Sequence, residues 1–466
     1  MSARPTRRRG RPSPPPPGLL FATGETLPGA EILSELREPA GVALWQAAHD
    51  VDLWSRAAPD GRGRIFATGA LERRLGALER AAPHPEVEPL LARLAALLLG
   101  DPASAAPKEV AAACLGVAAW AGRRGATATA LTFAQAAAMA TPEEAHPALE
   151  AGLLALALSL APERKEKARG DEARAESWLR RALVLARRER SNLAYARANV
   201  ALGGIYARRE QPLVARRFYL FALRRARRSG LREEKAAGLH GLFDLARGGG
   251  IPEDAETQAR GAMRVYGAAH PRAPELWRGW VRWRLARDPG AEIVGPGDER
   301  LPFHGPAAAR ARLLAVLARE AAEAGAAEQF QRAWSRAWDL LGRNARRETE
   351  RGRAETFLEL GWAAMAAERP ELAEHAGQRA LEAALARGSG GDHGAAERFL
   401  EELWRRAGGM RWIGRPHGPA GAAERSGADE AVRGPGRRPA EADRLSASGP
   451  AVDTLYTSRS RSGTER

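Results

Sequence analysis

The chain has 466 residues, 72 basic and 57 acidic, for a net charge of +15, with a single cysteine. That length exceeds one ordinary core and calls for two or three domains or one elongated repeat array. The lone thiol, Cys114, excludes an internal disulfide framework and a cysteine-based zinc cluster. The best apolar run, residues 153–161, falls far short of the roughly 20 residues a membrane-spanning helix needs.

Residues 1–30 are rich in Pro, Arg and Gly and are expected to be disordered. They open on a basic stretch but run into prolines instead of an apolar core, so the expected compartment is the cytoplasm. From residue 31 onward Ala, Leu, Arg and Glu dominate while β-branched and aromatic residues are sparse, which predicts an all-α protein. Helices are expected over 31–38, 40–57, 69–82, 85–99, 107–123, 126–140, 146–161, 172–190, 193–209, 212–228, 231–246, 252–267 and 272–287. After a Pro/Gly-rich break they resume over 306–323, 325–342, 349–367, 370–387 and 392–406. Short turn signals separate them, among them RRG at 123–125, REQP at 209–212, GGGIP at 248–252 and ERP at 368–370. The expected organisation is a disordered N-terminus (1–30), an N-terminal helical region (31–106), a repeat array (107–404) and a disordered basic tail (405–466).

The charge is uneven. Only four basic residues are lysine, and the excess of Arg, Ala, Gly and Pro is what a GC-rich, bacterial-like genome imposes. Codon bias does not decide position, however. Residues 174–228 hold fifteen arginines against Glu176, Glu189 and Glu210, so the body carries one basic segment.

Within that segment the stretch LGGIYARRE places Gly203 and Gly204 side by side in a helical pattern, where each is disfavoured by about 1 kcal/mol relative to alanine. Extending it gives Asn199, Leu202, Gly203, Tyr206, Ala215, Tyr219 and Ala222. This spacing resembles the tetratricopeptide repeat, a 34-residue helix–turn–helix unit, with Asn199 in place of its tryptophan. A second copy has Phe357, Leu360, Gly361, Ala364, Ala373, Gly377 and Ala380, and weaker copies fall around 111–144, 148–182, 241–262 and 313–333. The resemblance implies a right-handed α-α superhelix, a TPR-like solenoid whose stacked units complete one another's core. Small residues at Gly203, Ala215 and Ala222 let paired helices approach, with Leu202, Tyr206 and Tyr219 filling the spaces alongside.

No catalytic constellation is present: the nine histidines are scattered, without HExxH or nucleophile-elbow spacing. HDVD at 49–52 is read as a solvated helix face, and GSGGDHG at 388–394 as a helix-capping linker. No enzyme activity, cofactor or metal is therefore expected. The resemblance implies binding on a concave face lined by the first helix of each unit, at Arg197, Val200, Gly204, Ala207 and Arg208 in the strongest copy. The copy at 354–387 offers Glu355, Leu358, Trp362, Met365 and Ala366. Val200 and Gly204 depart from the Lys and Asn that the family's carboxylate-clamp subtype uses. The expected partner is a protein or extended peptide, making the chain a scaffold or adaptor.

A regulatory protein using the solenoid as a receptor arm is an alternative. Another is nucleic-acid binding through 174–228 and the tails, where Arg217, Arg224 and Arg228 fall near one helical face; solvated arginines favoured by the helix dipole are the plainer reading. Trp277, Trp280 and Trp283, and Trp334 with Trp338, form stripes expected to be core. No membrane partner is expected.

Overall fold

The computed structural model describes residues 30–36, 39–293, 304–343 and 352–406, and all regular structure among them is helical. The N-terminal stretch through residue 29 and the tail from 407, both expected to be disordered, lie outside the described residues. The chain divides into two compact units, with the boundary between Tyr266 and Gly267, inside the stretch expected to form one array.

The first unit opens with α1 (Ala30–Glu35), α2 (Ala40–Arg56), α3 (Ala70–Ala81) and α4 (Glu88–Ala95), which continues through a π turn over Ala96–Gly100. Eight helices follow: α5 (Pro107–Arg123), α6 (Thr127–Ala140), α7 (Ala145–Ser159), α8 (Ala168–Glu189), α9 (Asn192–Arg208), α10 (Pro212–Arg228), α11 (Arg232–Arg247) and α12 (Ala255–Tyr266). Each packs on its sequence neighbour, and α7, α9 and α11 also touch in succession. The first helices of the sequence frame thus form one layer and α8, α10 and α12 alternate with them. The second unit repeats the scheme with α13 (Ala273–Arg287), α14 (Ala307–Glu323), α15 (Ala327–Arg343), α16 (Arg353–Ala366), α17 (Pro370–Arg387) and α18 (Gly390–Arg406). There α14, α16 and α18 are the successive partners. Each unit is an all-α solenoid arrangement of stacked neighbouring helices.

The boundaries follow from local chemistry. Pro107, Pro212 and Pro370 occupy the first helical position, where a missing N–H does no harm. The Ser191 hydroxyl accepts a hydrogen bond from the Ala194 N–H and starts α9. Gly125, Gly230 and Gly325 reverse the chain with φ of 77°, 67° and 72°. Helix α6, TATALTFAQAAAMA, carries no charge and is buried almost all round. It contacts α5 and α7 in the array and α1 and α2 from the preceding region. The Glu35 carboxylate accepts hydrogen bonds from the Ala128 N–H (2.8 Å), the Thr129 N–H (2.7 Å) and the Thr129 hydroxyl (2.8 Å), capping α6. Helices α1 and α2 thus cover α6, and α4 packs on α5.

Two local expectations need correction. The helix expected over 172–190 begins earlier: a 3-10 turn at Pro162–Arg164 leads into α8, which starts at Ala168 and gains an extra turn. In GSGGDHG only Gly388 (φ 69°) and Ser389 form the break, and Gly390 already opens α18.

Candidate partner-binding surfaces

The first-helix layer is the natural place to look. On α9, Val200, Gly204 and Ala207 are half-buried and Arg208 is exposed. On α7, which packs against α9, Leu153, Leu154, Leu156 and Ala157 are likewise partly open. The two adjacent glycines differ sharply. A Cβ on Gly203 would lie 2.6 Å from the Tyr219 ring, so the site accepts no side chain; one on Gly204 would find nothing nearer than 3.8 Å. The second glycine is a notch, not a packing contact. Of the other frame positions, Leu202, Tyr206, Ala215, Tyr219 and Ala222 are buried, as are Leu360, Gly361, Ala373 and Ala380.

The arginines behave differently from a linear reading of charge. Arg197 is 7 % exposed and its Nε donates to Glu234 of α11 at 3.0 Å, so its charge is engaged inside the layer. Nearby, burial raises the Glu150 pKa against the opposing influence of His146 and Arg197. Arg208 and Arg209 both donate to Glu172 of α8. Arg209 and Arg180 also donate to Glu176, which further accepts a 2.5 Å hydrogen bond from the Tyr206 hydroxyl. Burial would raise the Glu176 pKa, but the Tyr206, Arg209 and Arg180 hydrogen bonds prevail and hold it at about 2.

Most of the fifteen arginines in 174–228 are committed in this way: Arg174 to Asp171, Arg188 to Glu143, Arg216 to Glu253, and Arg187 and Arg225 over the Tyr195 ring. Several of these carboxylates lie outside the window.

Trp362, in the second unit, is half-buried and packs edge-on against Phe399 at 4.9 Å between centroids. The binding residues drawn from the two copies therefore fall in different units. Glu355 is exposed and pairs with Arg312 at 3.3 Å. The tryptophan stripes are mainly core: Trp277 is fully buried with its indole N–H on the Leu313 carbonyl, Trp280 stacks on it at 5.1 Å, and Trp334 stacks on Trp338 at 4.8 Å.

HDVD is not a solvated face. Asp50 is buried and bidentate to Arg74 at 2.9 Å, and Asp52 is buried and paired with Arg56 at 2.8 Å. Cys114 is fully buried, and burial pushes its thiol pKa far up. Among the described residues no three His, Cys, Asp or Glu side chains converge to hold a metal, and no helix is long and apolar enough to cross a membrane. The class defined is a helical-repeat array of stacked neighbouring helices. No protein-family model matches the chain, and no curated protein shows significant similarity to it.

Proposed function

We propose that the chain is a non-enzymatic, tetratricopeptide-like scaffold of the cytoplasm that binds a protein or extended peptide on its first-helix layer. The family reading is supported by the pairing of a glycine on a first helix with the large side chain on a second, at Gly152 with Leu179 and Gly203 with Tyr219. The binding reading rests on one observation: Leu153 and Leu156 on α7 and Val200 and Ala207 on α9, two helices in contact, are apolar and only half-buried, and α9 also carries the Gly204 notch. A backbone can approach closely at a notch without a Cβ, and apolar anchors can seat beside it. Because Arg197 and Arg208 are held by Glu234 and Glu172, this surface selects apolar anchors more than acidic ones.

The test is selection from a displayed random-peptide library on the immobilised full chain. Enriched peptides are expected to carry spaced apolar residues and to bind about ten-fold more weakly to Val200→Asp or Gly204→Gln, the loss of one well-seated apolar contact. Failure to enrich any peptide, or equal binding by both variants, overturns the reading.

A further inference from the structure

Another surface of the first unit, on α10, is of a different kind. Helix α10 contains no acidic residue, and Leu213, Arg217, Phe221, Arg224 and Arg228 recur at spacings of four, four, three and four, one face over about 22 Å of helix. All five are exposed, and Leu213, at 64 %, is the most exposed large apolar side chain among the described residues; Phe221 is 43 % exposed. Arg217, Arg224, Arg227 and Arg228 have no ion pair among the described residues, unlike most arginines of the neighbouring elements. Carboxylates of α8, of α12 and of the turn before α12 pair with other arginines: Glu172 and Glu176 with Arg208, Arg209 and Arg180, Glu253 with Arg216 and Glu256 with Arg260.

We propose that this face of α10 docks the protein onto an anionic lipid bilayer, with Leu213 and Phe221 entering the interfacial region and Arg217, Arg224 and Arg228 on lipid phosphates. The mixture of side chains decides the occupant. A nucleic-acid backbone would use the arginines and could stack one base on Phe221, but leaves Leu213 facing water. A bilayer interface takes both kinds at once: apolar side chains sink below the headgroups while adjacent guanidinium groups meet the negative surface. The proposal is independent of the peptide surface on α7 and α9, which belongs to the other helix layer.

The experiment is co-sedimentation of the full chain with vesicles of phosphatidylcholine, with and without phosphatidylglycerol. Both basic tails are kept in every variant so that their charge cancels in the comparison. Binding is expected only to the anionic vesicles and should weaken as salt rises. Replacing Arg217 or Arg224 by alanine should weaken it about five-fold each. Leu213→Ser with Phe221→Ser, which leaves the charge unchanged, should weaken it about ten-fold or more. Unchanged thermal unfolding confirms that these exposed substitutions leave the fold intact. Absence of binding to anionic vesicles overturns the proposal. So does unchanged vesicle binding by Leu213→Ser/Phe221→Ser, and if single-stranded oligonucleotide binding then depends on the arginines, the face is a nucleic-acid site.

Discussion

The two units meet the same packing problem with the large side chain in opposite places. In the first, Tyr219 on α10 presses its ring into two glycine notches, Gly203 on α9 and Gly241 on α11, joining consecutive repeats. In the second, the residue standing where Tyr219 would be is Gly377. The missing ring arrives from the next helix instead: Phe399 of α18 lies where a Cβ on Gly361 (2.7 Å) or Gly377 (2.9 Å) would need to be. What the repeat conserves physically is therefore a filled volume between helices, not an aromatic at a fixed position.

The sharpest way to break this comparison is to empty both sites. Tyr219→Ala and Phe399→Ala should each destabilise by about 3–5 kcal/mol, the range for deleting a buried ring. Segment-resolved hydrogen exchange should place the first loss in α9–α11 and the second in α16–α18. Coupling follows from the same geometry: Gly203→Ala should be destabilising alone but tolerated beside Tyr219→Ala, with an interaction energy of about 0.5–3 kcal/mol. Additive effects would mean that the ring does not define the notch.

Buried charge gives a second contrast. In the first unit both Arg197 and Glu234 are buried, so Glu234→Ala should cost about 3–5 kcal/mol by stranding a charge, and Arg197→Met with Glu234→Leu should recover most of it. In the second unit Glu320 is buried but its partners Arg278 and Arg282 reach solvent, so Glu320→Leu should cost only about 1–2 kcal/mol. Denaturant midpoints of the variants decide between them.

A third contrast is with pH. Glu176 is held at about 2 in the fold, below the ordinary value near 4.3. The unfolded chain therefore binds the proton first as pH falls, and this contribution, complete above about pH 4.3, is lost on approach to 2. Tyr206→Phe removes one donor and should lower stability at neutral pH, with the deficit against wild type shrinking through that window in acid-unfolding curves.

The smallest effect belongs to the neighbouring glycine. Gly204→Ala meets no close atom and should stabilise by about 1 kcal/mol through helix propensity, opposite in sign to Gly203→Ala. Thermal melts of the pair would show it directly.

Helix limits were legible in the sequence because the chemistry that sets them is local: Pro212 starts α10, Gly125 and Gly230 end helices, and the observed 107–123 and 212–228 match the pattern residue for residue. The Gly203–Tyr219 contact was legible because both lie within one unit. The contact of the same ring with Gly241 was not, since it joins one copy to the next: the pattern places Gly241 in its own copy without pairing it to Tyr219. The basic segment misled for a related reason. Summing charge along the chain places Arg197, Arg209 and Arg216 in a cationic block, yet each meets a carboxylate brought beside it by the fold. The burial of Asp50 was hidden likewise, because its partner Arg74 sits on a different helix.

The spacing of those arginine contacts has one more consequence. Arg209 to Glu172, Arg197 to Glu234 and Arg216 to Glu253 each span 37 residues, and Arg282 to Glu320 spans 38. That interval is about one repeat, so each clasp ties a unit to its neighbour and to nothing farther away. In a linear chain of coupled units such ties set the strength of nearest-neighbour coupling, and with it the length of array that melts as one block. Raising salt should loosen the more exposed ties first and shorten that block, turning one broad cooperative transition into several smaller steps.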